Sequence, residues 1–187
     1  MSTTIYTSTI DTALGPFSIG VNERDEVVVT AIGGEEKLVE IHGRGCHLLS
    51  DTRFGRRARQ QVEEYFAGVR QAFELELAPE GSAYQLRVWD ALRRIPYGDT
   101  RSYGAIAREL GSSARAVGRA NGSNPICLIV PCHRVIGADG SLTGFAFGND
   151  VKRWLLEHEQ RFAYTGRAGA AAAGVLPLEF TAPAGRP

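Results

Sequence analysis

Apolar and polar residues alternate along Thr3–Ile10, Gly15–Val21 and Glu26–Ile32, and a period of two predicts three β-strands. Asp11-Thr12 with Leu14-Gly15-Pro16, and then Asn22–Asp25, supply turn formers between them, so an antiparallel meander is the simplest topology. Residues 33–52 are Gly-rich and irregular, in keeping with a loop that holds a short strand or helix. From Phe54 to Ala67 the period lengthens to that of an amphipathic helix, with Val62, Tyr65 and Phe66 inward and Gly68 as its stop. Ala78-Pro79-Glu80-Gly81-Ser82 gathers turn formers again and predicts a linker over 79–83.

Beyond the linker the pattern turns helical. Tyr84–Arg94 puts Leu86, Trp89 and Leu92 on one face, and Ile95-Pro96-Tyr97-Gly98-Asp99 ends it in a turn. Ser102 is an N-cap for Tyr103–Leu110, with Gly111 in the C′ position, and Ser112 or Ser113 caps a second helix from Ala114 to about Ala120. Helix, short Gly-containing turn, helix is the form of a helix-turn-helix. The second helix is made of small residues carrying Arg115 and Arg119. A tightly packed core helix and a helix that approaches a surface closely both fit that composition. The turn Asn121–Pro125 is rich in side chains able to bond the backbone, and the continuous apolar run Ile126–Val130 reads as a buried strand that Pro131 ends. Asp150 to about Phe162 forms a last helix with Trp154, Leu155 and His158 available for packing; from 166 to 187, Ala, Gly and Pro predict a flexible tail. The whole predicts an α+β chain of two domains, 1–78 and 84–165.

Composition narrows the class. A chain of 187 residues, 43% hydrophobic and 22% charged, is globular and long enough for one large core or two small ones. No apolar run reaches the length of a membrane span, and Met1–Ile5 lacks a basic patch followed by an apolar block, which predicts a cytoplasmic protein. Three widely spaced cysteines imply no disulfide framework. His42, Cys46 and His47 lie close together but lack a fourth ligand, so no metal is expected. Zero net charge conceals an asymmetry. Residues 1–82 hold 8 basic against 13 acidic residues, and residues 83–167 hold 12 against 7, so only the second half is suited to a polyanion.

The chemistry gathers at Pro131-Cys132-His133-Arg134-Val135-Ile136-Gly137. A thiolate is the nucleophile, a free cysteine titrates near pKa ~8.5, and so a base or a positive neighbour is needed; His133 and Arg134 offer both. Cys-His with a carboxylate is also the constellation of a cysteine hydrolase, so the pair alone fixes no substrate. No oxyanion hole is plain in the sequence, whereas a helix-turn-helix and a basic half stand beside the nucleophile. A DNA lesion is the more economical substrate, and its base must leave the duplex to be reached.

These residues come with others in a fixed order: Ile95–Gly104, Ala114-Arg115-Ala116-Val117-Gly118, Asn121–Pro125, Leu142-Thr143-Gly144-Phe145 and Trp154–Glu159. The stretch from about Tyr84 to Glu159 thereby closely resembles the O6-alkylguanine-DNA alkyltransferases, suicidal DNA repair proteins. The resemblance implies a ribonuclease H-like N-terminal domain, here matched only by length and element order, and a winged-helix-like C-terminal one. It implies that Cys132 accepts the alkyl group irreversibly, that His133 takes its proton through a water, and that Glu159 orients His133. Asn124 would tie the helix-turn-helix to the active-site strand. Arg115 would enter the base stack, Tyr103 would help rotate the nucleotide, and Ser102, Ala116, Arg119 and Arg134 would complete the DNA contact. Val135 with Phe145, Ala146 and Phe147 would line the pocket. The implied partner is double-stranded DNA, entered from the minor groove by a monomer able to bind cooperatively near the nucleoid, with O6-methylguanine as main substrate and O4-methylthymine as a second. No cofactor is implied. Where the family carries a tyrosine, a small residue and two glycines, this chain has Phe145-Ala146-Phe147-Gly148, which leaves pocket size open. A recognition module that binds alkylguanine without repairing it is a relative of this kind that lacks the acceptor cysteine.

Overall fold

The computed structural model describes residues 3–42 and 46–167. Three strands form where the alternation predicts them: β1 (Thr3–Thr12), β2 (Gly15–Val21) and β3 (Val27–Ile32), in antiparallel pairs. The sheet has a fourth strand that the pattern did not single out. After helix α1 (Glu35–His42), β4 (Cys46–Ser50) pairs parallel to β1, giving the order β3-β2-β1-β4. The three-stranded antiparallel expectation is therefore corrected to a four-stranded mixed sheet. The reason is physical: β4 has no buried face of its own, and the open edge of β1 rather than local alternation makes it a strand.

Helix α2 (Arg56–Phe66) lies against this sheet through Ala58, Val62 and Tyr65, all buried. The edge strand β3 then reaches toward the rest of the chain. Its Val27 exchanges backbone hydrogen bonds with Glu76 and Ala78, at 2.9 Å each, and its Thr30 amide donates to the Pro125 carbonyl at 2.9 Å. One edge thus holds both the linker and the turn that leads to Cys132.

Helix α3 (Ala83–Arg93) starts with a reciprocal capping box between Ser82 and Gln85, worth ~1 kcal/mol. It buries Val88, Trp89 and Leu92, while Leu86, expected inward, is 42% exposed; the buried stripe is shifted by part of a turn. Helices α4 (Tyr103–Leu110) and α5 (Ala114–Gly122) follow the two-residue strand β5 (Arg101–Ser102). Ser102 accepts from the Ala105 amide, Ser113 from the Ala116 amide, and Gly111 turns the chain with φ 63°, as their local chemistry predicts. The Trp89 indole donates to the Ala120 carbonyl at 2.8 Å and pins α5 to α3.

The run Ile126–Val130 is buried as expected, but it is not a strand. It folds into a tight turn in which the Val130 amide donates to Ile126 and Leu128 takes a positive φ of 72°. Continuous apolarity signals burial without specifying backbone, and here the chain reverses inside the core. A 3₁₀ turn (Cys132–Arg134), the short strand β6 (Val135–Ile136) and the long helix α6 (Asn149–Arg167) complete the described chain. Helix α6 runs past the expected boundary at 165; from residue 168 the predicted tail lies outside the described residues. One cluster of buried side chains extends from Phe17 on β2 to Leu155 on α6. No helix among the described residues is long and apolar enough to cross a membrane.

Candidate active site and nucleic-acid interface

Cys132, His133 and Arg134 share one 3₁₀ turn and are 5%, 0% and 6% exposed. Asn124 holds the preceding turn from inside: its Nδ2 donates to the Val130 carbonyl at 2.9 Å, and its Oδ1 accepts from the Ile126 amide at 3.0 Å. The position of Cys132 is thus set by a braced turn rather than by a strand end.

Glu159 on α6 organises what lies behind. Its carboxylate accepts from His133 Nε2 at 2.7 Å, from Arg134 Nε and Nη2 at 2.9 Å each, from the Tyr65 hydroxyl at 2.8 Å and from the Gly98 amide at 3.1 Å. Burial by itself would raise the pKa of such a carboxyl, but His133 and Arg134 outweigh it and hold Glu159 well below the usual carboxylate range. Burial pushes the His133 imidazole below 6.5, against the pull of Glu159, so the ring is neutral at physiological pH. An ionised Glu159 can only accept, and Nε2 must then carry the proton. The lone pair falls on Nδ1, which is buried and has no hydrogen-bond partner among the described residues. A neutral imidazole with its far nitrogen fixed by a carboxylate and its near one open has the arrangement a general base requires.

Burial also raises the Cys132 thiol, with the Asn124 amide and the Lys152 ammonium drawing it back. The resting group is therefore a thiol, and its ionisation needs a base. Lys152, wholly buried, donates to the Val135 carbonyl at 2.6 Å and to the Thr143 carbonyl at 2.9 Å, and lies 5.8 Å from the centre of the Tyr103 ring. Loss of hydration lowers its pKa to about 8, with the Cys132 thiolate opposing that shift.

The surface formed by α5 is different in kind. Arg115 and Arg119 are exposed on α5 and form no ion pair among the described residues, while Ala116 and Gly118 keep the helix surface low. Tyr103 stands between α5 and the loop 141–148: its hydroxyl donates to the Thr143 carbonyl at 3.1 Å, and a Cβ on Gly144 would come within 3.1 Å of that oxygen. An open groove of about 580 Å³ runs beside it, lined by Gly118, Gly122, Gly144, Phe145 and Ala146. A buried nucleophile with a base behind it, next to a helix that carries exposed arginines and lines an open groove, suits a polyanionic substrate that delivers one inserted group.

Residues 83–161 match the family model described as 6-O-methylguanine DNA methyltransferase, DNA binding domain. The methylated-DNA–protein-cysteine methyltransferase of Methanosarcina acetivorans is 44% identical over 157 residues, covering 83% of this chain and 98% of its own. That of Mycobacterium bovis is 46% identical over 158 residues, covering 83% and 93%. The chain belongs to this methyltransferase family. The fold agrees: the crystal structure of Mycobacterium tuberculosis OGT in complex with DNA superposes with a TM-score of 0.75 at 43% identity, covering 84% of this chain and 94% of that one.

Against the family's expected roles, Cys132, His133, Glu159 and Asn124 come together; Arg115, Ala116 and Arg119 lie on α5, whose Gly118 and Gly122 line the groove, and Tyr103 bonds the loop that forms its other side. Ser102 is committed as the cap of α4. Two expectations are corrected. Arg134, expected at DNA, is buried: it grips Glu159, donates to the Ile95 carbonyl at 2.6 Å and lies over the Tyr97 ring, because a guanidinium is what a buried ionised carboxylate needs. Phe147, expected to line the pocket, is not among the residues of the groove. It lines a separate cavity with Ile32, Lys37 and Ile41 and packs on both apolar clusters, its ring edge-to-face with Phe145 at 5.6 Å. Phe145 and Ala146 do line the groove, and Val135 is wholly buried.

The sequence reading missed Lys152, Asn121 and Tyr65. Lys152 did carry a signal. It shares the 152, 155, 156, 159 stripe of α6 with two buried leucines and Glu159, so a charge there had to be functional or paired. Tyr65 was placed inward, but nothing local could tell that its hydroxyl meets a residue 94 positions away.

Proposed function

We propose that this protein repairs O6-alkylated guanine in DNA by moving the alkyl group onto Cys132, once per molecule. The observation that carries the reading is the buried Cys132 thiol backed by a neutral His133 whose orientation Glu159 fixes, on a turn whose Cys132 carbonyl accepts from Asn121 of α5, the helix that lines the open groove. His133 Nδ1, through a water, takes the thiol proton. The thiolate sulfur attacks the alkyl carbon, the C–S bond forms as the C–O bond breaks, and the electron pair stays on O6. The departing guanine takes up a proton and is restored. A thioether has no leaving group that water could displace, so Cys132 is not regenerated. The lysine charge at 152 favours the anionic sulfur as it forms.

Delivery of the base requires flipping, which costs a few kcal/mol of unstacking. Arg115, exposed on a helix of small residues, is suited to fill the gap left in the stack. Close approach by such a helix favours the minor groove. The family match beginning at residue 83 supports a boundary within 79–83 and a DNA-binding unit over 84–165. An N-terminal unit over 1–78, ribonuclease H-like in its mixed sheet, accords with the strand order observed.

Duplex DNA with radiolabelled O6-methylguanine tests the reading. The expected result is label on protein saturating at one equivalent, on the peptide that holds Cys132, and none in Cys132→Ser. Binding without transfer would make the protein a recognition module, and turnover beyond one equivalent would make it a hydrolase.

A further inference from the structure

Residues 144–148 form a wall with open space on both sides. Ala146 lines the groove together with Gly118 and Gly122 of α5. It also lines a second cavity, of about 360 Å³, formed with Ile32 of β3 and with Lys37, Glu40 and Ile41 of α1. We propose that Phe147 is a positioning residue: it moors this wall to α1, so that residues 1–78 hold the groove in shape before a substrate arrives. The proposal rests on the alkyl-transfer reading above and adds what keeps the groove formed.

Little else fixes the segment. Gly144 and Gly148, at its two ends, have left-handed backbones with φ of 69° and 93°, conformations that leave the chain free to swing. The Gly148 amide donates to the Phe145 carbonyl at 3.1 Å, a turn closed within the segment, and the Gly148 carbonyl accepts from the Lys152 amide at 3.2 Å. Among the described residues the backbone of 144–147 makes no other hydrogen bond. None of the five side chains is polar, and Gly144, Ala146 and Gly148 are exposed. Attachment therefore falls to two half-buried rings.

Phe145 and Phe147 meet edge to face at 5.6 Å, so the place of one constrains the other. Phe145 lines the groove, whereas Phe147 packs against the apolar cluster that includes Ile5, Val29 and Leu38. Every other residue of that cluster lies at or before Ala78, so among the described residues Phe147 is its one member from beyond the linker. The glycine that the family pattern places at 147 could make none of these contacts. A wall released from α1 would have to be ordered anew on each encounter with a duplex. Ordering even one residue of backbone is worth about tenfold in affinity.

Single-turnover transfer from a methylated duplex to Cys132, followed over a range of DNA concentrations, separates the limiting rate from the half-saturating concentration. Phe147→Ser should raise the half-saturating concentration about tenfold and leave the limiting rate within about twofold, because the nucleophile and its base are untouched. Serine removes the ring without adding the backbone freedom of glycine. Phe147→Leu, still able to reach the cluster, should stay within about threefold of wild type. Ile41→Ala, on α1, should raise the half-saturating concentration a few-fold and add nothing to Phe147→Ser when the two are combined. It also stands in for the serine variant should that one not fold. Half-saturation unmoved in both variants, or a loss confined to the limiting rate, overturns the proposal. Absence of transfer by the wild type would instead sink the alkyl-transfer reading itself.

Discussion

Behind Cys132, toward α6, side chains have nearly all their polar groups engaged; α5 and the loop 141–148 instead present exposed arginines and few side-chain partners. Glu159 alone takes five hydrogen bonds from four residues spread over three regions of the chain. Arg115 and Arg119 take part in none among the described residues. The first arrangement needs no rearrangement when charge develops, which is what catalysis of a displacement requires. The second is free to fit a duplex that arrives from outside. Changes behind the cysteine should therefore damage the chemistry whatever the substrate, and changes in front should matter only when a duplex must be opened.

Glu159→Ala is the severest way to test that division. It leaves Arg134 buried without its counter-charge, which should cost ~3–5 kcal/mol of stability. Transfer should fall at least ~100-fold through loss of base orientation, as much on free O6-benzylguanine as on duplex DNA. Denaturant unfolding and single-turnover rates measure both, and a variant impaired on duplex alone would erase the contrast. Arg115→Ala should do the opposite: roughly ten- to hundredfold slower on duplex, within about twofold on the free base, because a free base has no stack to leave. Equal losses would assign Arg115 to the fold.

Tyr65→Phe sharpens the picture at smaller cost. Removing one hydroxyl from an ionised carboxylate should destabilise by ~1.5–3 kcal/mol and slow transfer a few-fold on both substrates. Phe147→Gly should weaken the packing of the loop on α1 by up to ~3 kcal/mol yet leave the ratio of benzyl to methyl transfer near its wild-type value. A selective gain for benzyl adducts would return Phe147 to the pocket. The mildest expectation concerns pH. Since burial holds His133 below 6.5, transfer should decline in acid solution with a midpoint below 6.5. Stability has a separate acid limb. The depressed Glu159 contributes fully above the ordinary carboxyl value of 4.5 and loses its contribution as pH falls below it, a limb that Glu159→Gln should lack. A transfer profile with its midpoint at or above 6.5 would refute the neutral resting base.

What could be read along the chain divides in the same way. The helix-turn-helix was legible almost to the residue, because Ser102, Gly111 and Ser113 act on their own neighbours within a turn. The motif at Cys132–Arg134 announced a nucleophile and a base. It gave the wrong place to Arg134, because a positive charge in a basic half suggests phosphate and says nothing of burial. The turn at Leu128 was hidden for a related reason: five apolar residues look alike whether they extend or reverse. Strand β4 depended on the open edge of β1, about forty residues earlier. Partners distant in sequence leave no period to detect, and the polar cluster behind the cysteine is made of such partners.

The hydroxyl of Tyr65 has a practical corollary. It comes from α2, and the carboxylate it touches comes from α6, so the catalytic centre is completed by a seam between fragments on either side of residues 79–83. A chain severed there should yield two pieces, the second bearing every residue of the nucleophile and base, yet unable to alkylate itself at speed until the first has docked. Tethering the pieces to two proteins under study would turn self-labelling with a fluorescent benzylguanine into a permanent record of their encounter. Fluorescence gained with equal ease by the second piece alone would show that the seam is dispensable.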